Sequence, residues 1–208
     1  MDSERSTWNI SPQLLRRAIE DRISKGKKPK AIIAVHLYGM PYLVEEVGQI
    51  AKEFGIALIE DSAEALGSSY KGVKCSSFGD IGILSFNGNK IITTSGGGAL
   101  VSKNLEYKKK AVFLATQARD NAPHYQHSQI GYNYRMSNVL AGIGRGQMEV
   151  LDDRVRSRRA NFEFYKESLG HLDEIDFLDE PEGFFSNRWL SCIAVSYTHL
   201  TLPTTPYV

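Results

Sequence analysis

The feature that most constrains the fold is an alternation of amphipathic helical stretches with short, continuous apolar runs. Pro12 to Ile23 reads as a helix: Ser11 is placed to cap it, Pro12 stands at its first position, and Leu14, Leu15, Ala18, Ile19 and Ile23 share one face. Ala31-Ile-Ile-Ala-Val35 follows, apolar throughout, as expected of a strand buried on both faces. Leu43 to Phe54 is helical again, with Val44, Val47, Ile50 and Ala51 at helical spacing and Gly55 to end it. Ile56-Ala-Leu-Ile59 is a second buried strand that runs directly into Glu60-Asp61. Helix, strand, helix, strand in that order implies a parallel sheet covered by helices. Ile81 to Phe86 and Ala99 to Val101 are further strands, Leu105 to Gln117 is helical, and Val139 to Leu169 is one broken helix or two. Phe184 to Ile193 reads as a turn entering a strand of another layer. The fold class predicted is α/β, a three-layer α/β/α domain with a mostly parallel sheet.

Composition narrows the function. Among 208 residues 24% are charged and the formal net charge is +1, so nothing in the balance favours nucleic acid or an anionic membrane surface. No apolar run is long enough to span a bilayer and the first residues lack a signal peptide's apolar stretch, which points to a cytoplasmic protein. Cys75 and Cys192 have no metal-ligand spacing and read as reduced thiols. The basic run Lys25 to Lys30 reads as a solvated turn. His124 and His127 lie in a polar stretch with no carboxylate cluster, which suits a loop better than a metal pair; His36, at a strand end, either faces a site or fills a turn.

Three residues could carry chemistry together. Asp61 ends a buried strand, and ligands of open parallel sheets bind outside the carboxyl ends of the strands. A carboxylate there can hold the protonated ring nitrogen of a pyridine cofactor, although it could equally be a helix cap or one half of a salt bridge. Lys90 stands in a loop before three consecutive glycines, Gly96 to Gly98, where a lysine can form a Schiff base; most lysines are only surface charges. Ser85, at the end of the preceding strand, can donate to a phosphate oxygen.

The order of these residues is more specific than any one of them. Glu60-Asp-Ser-Ala-Glu-Ala-Leu-Gly67, then Phe78-Gly-Asp80, then Ser85-Phe-Asn-Gly-Asn-Lys-Ile-Ile-Thr-Thr-Ser-Gly-Gly-Gly98 resembles the DegT/DnrJ/EryC1/StrS family of pyridoxal-phosphate-dependent sugar aminotransferases. The resemblance runs from about Thr7 to Ile193 and includes His36-Leu-Tyr-Gly39 and Gly131-Tyr-Asn-Tyr-Arg-Met-Ser137. Within the family, the run Asn87 to Gly98 and the run Ser186-Asn-Arg-Trp-Leu-Ser191 look most like the UDP-N-acetylbacillosamine-type transaminases. The resemblance implies a fold-type I transferase large domain and pyridoxal 5'-phosphate as cofactor. The implied reaction moves an amino group from L-glutamate to a keto group of a nucleotide-linked deoxysugar, for surface glycan or glycoprotein sugars. It assigns Lys90 as the catalytic, cofactor-bearing lysine, Asp61 to the pyridine nitrogen, Glu64 to a position beside the cofactor and Ser85 to its phosphate. Asn133 would reach the phosphate of the partner subunit's cofactor, so a homodimer with the active site at the interface is implied.

The resemblance also sets an expected organisation: residues 1–170 as a partial cofactor-binding large domain, 171–195 as the start of a small C-terminal domain, and 196–208 as a non-native tail resembling adapter read-through. Relatives carry a long segment before Thr7 that supplies a backbone phosphate cradle and a ring-stacking aromatic, and a domain after Ile193. Two other readings stay open: a non-catalytic or unstable fragment, and a sugar dehydratase on the same scaffold, in which histidine replaces the lysine.

Overall fold

The computed structural model describes residues 2–195, so the proposed non-native tail lies outside the described residues. The chain forms α1 (Pro12–Ser24), β1 (Ala31–Val35), α2 (Val44–Phe54), β2 (Ala57–Asp61), β3 (Ser69–Tyr70), β4 (Val73–Lys74), β5 (Ile81–Ser85), β6 (Gly98–Val101), α3 (Leu105–Ala115), α4 (Asn138–Glu149), α5 (Leu151–Leu169), β7 (Ile175–Phe177), β8 (Phe184–Phe185) and β9 (Ile193–Val195). The main sheet has the order β1-β2-β5-β6. β1 with β2 and β2 with β5 pair in parallel, and β6 closes the edge antiparallel to β5. The sheet is mostly parallel, as the alternation of helices and apolar runs predicts.

Local signals account for the helix ends. Ser11 Oγ accepts from Leu14 N at 3.3 Å, capping α1 above Pro12. Gly55 ends α2 in the left-handed conformation at φ 56°. The stretch from Val139 to Leu169 is two helices that meet at Val150.

One expectation is corrected. β1 is not buried on both faces: Ile32 and Ala34 are buried, but Ile33 is 62% and Val35 38% exposed. The cause is the pleat, which sends alternate side chains to opposite faces. Helices α1 and α2 both contribute to the core around Ile32, Ala34 and Leu58, through Leu15, Ile19, Val47, Ile50 and Ala51. Ile33 and Val35 point the other way. A second core gathers Ile91, Ile92, Leu151, Val155 and Trp189. Ile143 and Met148, assigned to the apolar side of the long helical stretch, are about half exposed, and α4 buries no residue. The Phe184 to Ile193 segment enters two strands: β8 pairs with β3, while β9 pairs with β7.

Candidate active site

The parallel register lines up the carboxyl ends of three strands. Val35 pairs with Asp61, and Asp61 with Ile83, so β1, β2 and β5 end along one edge. Asp61 is half-buried there, and its Oδ1 accepts from Ala63 N at 3.1 Å. No other described residue hydrogen-bonds its carboxylate. The next residue, Ser62, is fully buried and its hydroxyl has no hydrogen-bond partner among the described residues. Ser85 ends β5, and its Oγ accepts weakly from Asn87 N at 3.4 Å, leaving its own proton to donate.

Beyond Ser85 the chain turns back on itself. Lys90 N donates to Asn87 O at 3.1 Å and Thr94 N to Phe86 O at 3.0 Å. Ile91 and Ile92 then drop into the second core, so Lys90 sits where the loop meets that core. Its amine lies 3.7 Å from Glu64 Oε1 and 4.5 Å from the centroid of the Trp189 ring, and makes no hydrogen bond among the described residues. Glu64 is held in turn, because its Oε2 accepts from Tyr38 N at 2.7 Å. Tyr38 adopts φ 57°, a left-handed conformation uncommon for a bulky residue.

Asn187 organises the surroundings. Its Nδ2 donates to the carbonyls of Glu64 at 2.8 Å and Leu66 at 2.9 Å, and its Oδ1 accepts from Trp189 N at 2.8 Å. Its backbone N–H donates to Ser68 Oγ, which donates to Gly39 O. Gly39 has φ 87°, and a Cβ there would fall inside the Asn187 side-chain oxygen. The glycine of His36-Leu-Tyr-Gly39 is therefore required twice, by its backbone and by its neighbour.

Beneath this edge lies a buried polar knot. His36 and Glu60 are both fully buried and joined at 3.0 Å through His36 Nε2 and Glu60 Oε2. Glu60 also accepts from the backbone of Ser76, Phe78 and Gly79. Burial pushes the Glu60 carboxyl up, but hydrogen bonds from His36, Gly79 and Ser76 outweigh it and leave the pKa below its ordinary value. His36 Nδ1 accepts from Tyr42 N at 3.4 Å and the ring stacks on Tyr42 at 4.6 Å. His36 thus fills the turn and does not face the site. Burial, then the charge of Glu60, pushes the Tyr42 hydroxyl and the Cys75 thiol to pKa values above their ordinary ones.

The structure brings Lys90 and Glu64 together and aligns the strands bearing Asp61 and Ser85. Asn133 is exposed, bridges to Thr116, and shares a cavity with Gln117, His127 and Gly131; no described hydrogen bond or ion pair joins it to Lys90, Asp61 or Ser85. Cys75 and Cys192 are both free thiols. His124 contacts Gln126, and His127 the carbonyl of Gln117. A cavity of about 650 Å³ opens beside Tyr38, lined also by Arg5, Trp8, Leu190 and Cys192. Sequence reasoning assigned no role to Trp189, Asn187 or Glu60. For Trp189 a signal existed, an aromatic inside the run Ser186 to Ser191. For Asn187 there was none, since an asparagine between serine and arginine reads as loop.

Comparison with known proteins places the chain in one family. The sequence model of the DegT/DnrJ/EryC1/StrS aminotransferase family matches residues 1–199. EpsN of Bacillus subtilis (strain 168), whose name assigns it a pyridoxal phosphate-dependent aminotransferase role, is 53% identical over 195 residues, covering 94% of this chain and 50% of EpsN. GDP-perosamine synthase of Escherichia coli O157:H7 is 38% identical over 93% of this chain and 51% of its own length. The crystal structure of a DegT DnrJ EryC1 StrS aminotransferase from Brucella abortus superposes with a TM-score of 0.86 at 27% identity, covering 93% of this chain and 52% of that one. The chain spans about half the length of the curated relatives it matches.

Proposed function

The chain belongs to the DegT/DnrJ/EryC1/StrS aminotransferase family, and we propose that it moves an amino group from L-glutamate to a keto group of a nucleotide-linked deoxysugar, with pyridoxal phosphate held at Lys90. The observation that carries this reading is the Lys90 amine, held beside a carboxylate and an indole face without a hydrogen bond among the described residues, on the loop that follows the aligned strand ends.

The residues suit the group. Asp61 has a carboxylate oxygen with no described hydrogen-bond partner at a strand end, where it can accept from the protonated ring nitrogen. Ser85 has a hydroxyl proton to give a phosphate oxygen, and the neighbouring Ser62 hydroxyl is buried without a partner among the described residues. Bound pyridoxal phosphate supplies an electron sink conjugated to the substrate nitrogen. Lys90 Nζ would hold the group covalently and, once freed, would be the base that carries the proton at the donor Cα. Asp61 would hold the ring nitrogen and keep it protonated. Glu64 stays near the Lys90 amine and anchors the Tyr38 turn.

Within the family, the bacillosamine-type transaminases are the proposed subgroup, on the strength of the runs Asn87 to Gly98 and Ser186 to Ser191. The cavity beside Tyr38 offers aromatic faces from Trp8 and Tyr38 and the guanidinium of Arg5, chemistry that suits a base and a phosphate. Residues 171–195 are proposed as the start of a small domain, and the protein as cytoplasmic; no described helix is long and apolar enough to cross a membrane. A homodimer is proposed on two grounds. The family resemblance gives Asn133 to the partner subunit's cofactor phosphate, and Tyr125, Ile130, Tyr132 and Tyr134, near it in sequence, are exposed by 52 to 81%, an apolar surface suited to a second copy.

The experiment is isotope transfer. With pyridoxal phosphate and a panel of nucleotide-linked keto-deoxysugars, ¹⁵N from L-glutamate should appear on one sugar. Protein that carries the cofactor yet moves no label to any of them would contradict the substrate reading.

A further inference from the structure

Trp189 meets Lys90 by two routes. The face of its indole lies under the amine, with Nζ 4.5 Å from the ring centroid. Its Nε1–H donates to the carbonyl of Asn89, the residue before Lys90, at 2.8 Å. The ring is buried among Ile91, Ile92, Leu151 and Val155, so the core fixes its position. Its backbone N–H is bound by Asn187, which also binds the Glu64 carbonyl. A chain of contacts therefore runs from Glu64 through Asn187 and Trp189 to Asn89, and both of its ends flank Lys90.

Two other lysines show how different this placement is. Lys71 and Lys110 also lie over rings, at 5.1 and 5.3 Å, but the Lys71 amine is bonded to Glu45 at 2.6 Å and the Lys110 amine to Gln129. Lys90 has the ring and no hydrogen bond among the described residues.

We propose that Trp189 is a positioning residue for Lys90, holding its amine by the ring face while its N–H fixes the backbone from which the side chain starts. This rests on the reading of Lys90 as the cofactor-bearing lysine. A π face attracts an ammonium without offering a lone pair. It orients the amine with no hydrogen bond to break each time the lysine attacks or leaves. The N–H on Asn89 acts separately, on where the stem begins.

Two measurements test this. The first needs no cofactor. Reductive methylation of the intact chain with ¹³C-formaldehyde gives each lysine a methyl signal, and Lys90→Arg identifies the one from Lys90. Ring current should move that signal upfield of those from Lys71 and Lys110, and Trp189→Leu should abolish the displacement. A Lys90 signal among those of the exposed lysines in the unmodified sequence overturns the proposal, whether or not Trp189→Leu folds.

The second follows the rate at which borohydride fixes a pyridoxyl label on Lys90 after addition of pyridoxal phosphate. Trp189→Leu should slow labelling roughly tenfold, and Trp189→Phe, which keeps a ring face and loses the donor, should stay within about threefold. Label on Lys90 at equal rates in all three proteins overturns the positioning role alone. Label on a different lysine in the unmodified sequence overturns the reading of Lys90 beneath it.

Discussion

The amine of Lys90 lies 3.7 Å from Glu64 Oε1, and the other oxygen of that carboxylate binds Tyr38 N at 2.7 Å. One side chain thus links the candidate nucleophile to a backbone turn in a left-handed conformation. The two tasks separate on substitution. Glu64→Gln keeps an oxygen for Tyr38 N and should cost no more than about 1 kcal/mol of stability, since the pair with Lys90 is long and partly exposed. Glu64→Ala strands the Tyr38 N–H and should cost about 1–3 kcal/mol. Urea melts of the two variants check this, and equal losses would mean that the backbone bond contributes nothing.

The His36–Glu60 knot ties part of the acid stability to one buried carboxylate. The folded-state pKa of Glu60 is lowered, so its contribution is fully present above the ordinary glutamate value of about 4.3 and is lost as pH falls through the lower folded value. Glu60→Gln should flatten the fall in stability below that pH. His36→Ala, which leaves Glu60 buried without its ring partner, should cost about 3–5 kcal/mol at neutral pH. Denaturant midpoints between neutral pH and about pH 3 read both effects.

Gly39→Ala should be among the most damaging small changes. It places a methyl group against Asn187 and forces alanine to φ 87°. Backbone strain alone is on the order of 1–3 kcal/mol, and displacement of Asn187 loosens Trp189 and the Glu64 carbonyl with it. Gly26→Ala, at φ 69° with open space around its Cβ, is the control for strain without the clash. A similar loss of melting stability in both would show that the Asn187 contact adds nothing.

Much of this was legible in the sequence, for physical reasons that differ by element. Helix α1 announced itself because Ser11, Pro12 and the Leu15/Ile19 face are all local signals. The strand ends were legible because Asp61 and Ser85 terminate apolar runs, and Lys90 only through the order of motifs that resembles the family, since a lysine in a glycine-rich loop is by itself usually a surface charge. The covering of β1 was not legible: an apolar run reads alike whether one face or both are packed, and only the tertiary structure shows Ile33 at 62% exposure. His36 and Glu60 stand 24 residues apart, and nothing local marks the two as partners. Trp189 and Asn187 reach the site across about a hundred residues of chain, so their roles come from the fold and not from any spacing.

The proposed shared site can be tested by complementation between Lys90→Ala and Asn133→Ala, each inactive alone. A mixed dimer would hold one site with both residues intact, so mixing should restore activity. With subunit exchange confirmed, no recovery on mixing would place both residues in the same subunit's site.

The central claim is that Lys90 carries the cofactor. Borohydride reduction after addition of pyridoxal phosphate, followed by peptide mapping, tests it directly. The expected result is a pyridoxyl group on the peptide containing Lys90 and none after Lys90→Ala. A pyridoxyl group on Lys71, Lys74 or Lys103, surviving Lys90→Ala, would contradict the claim.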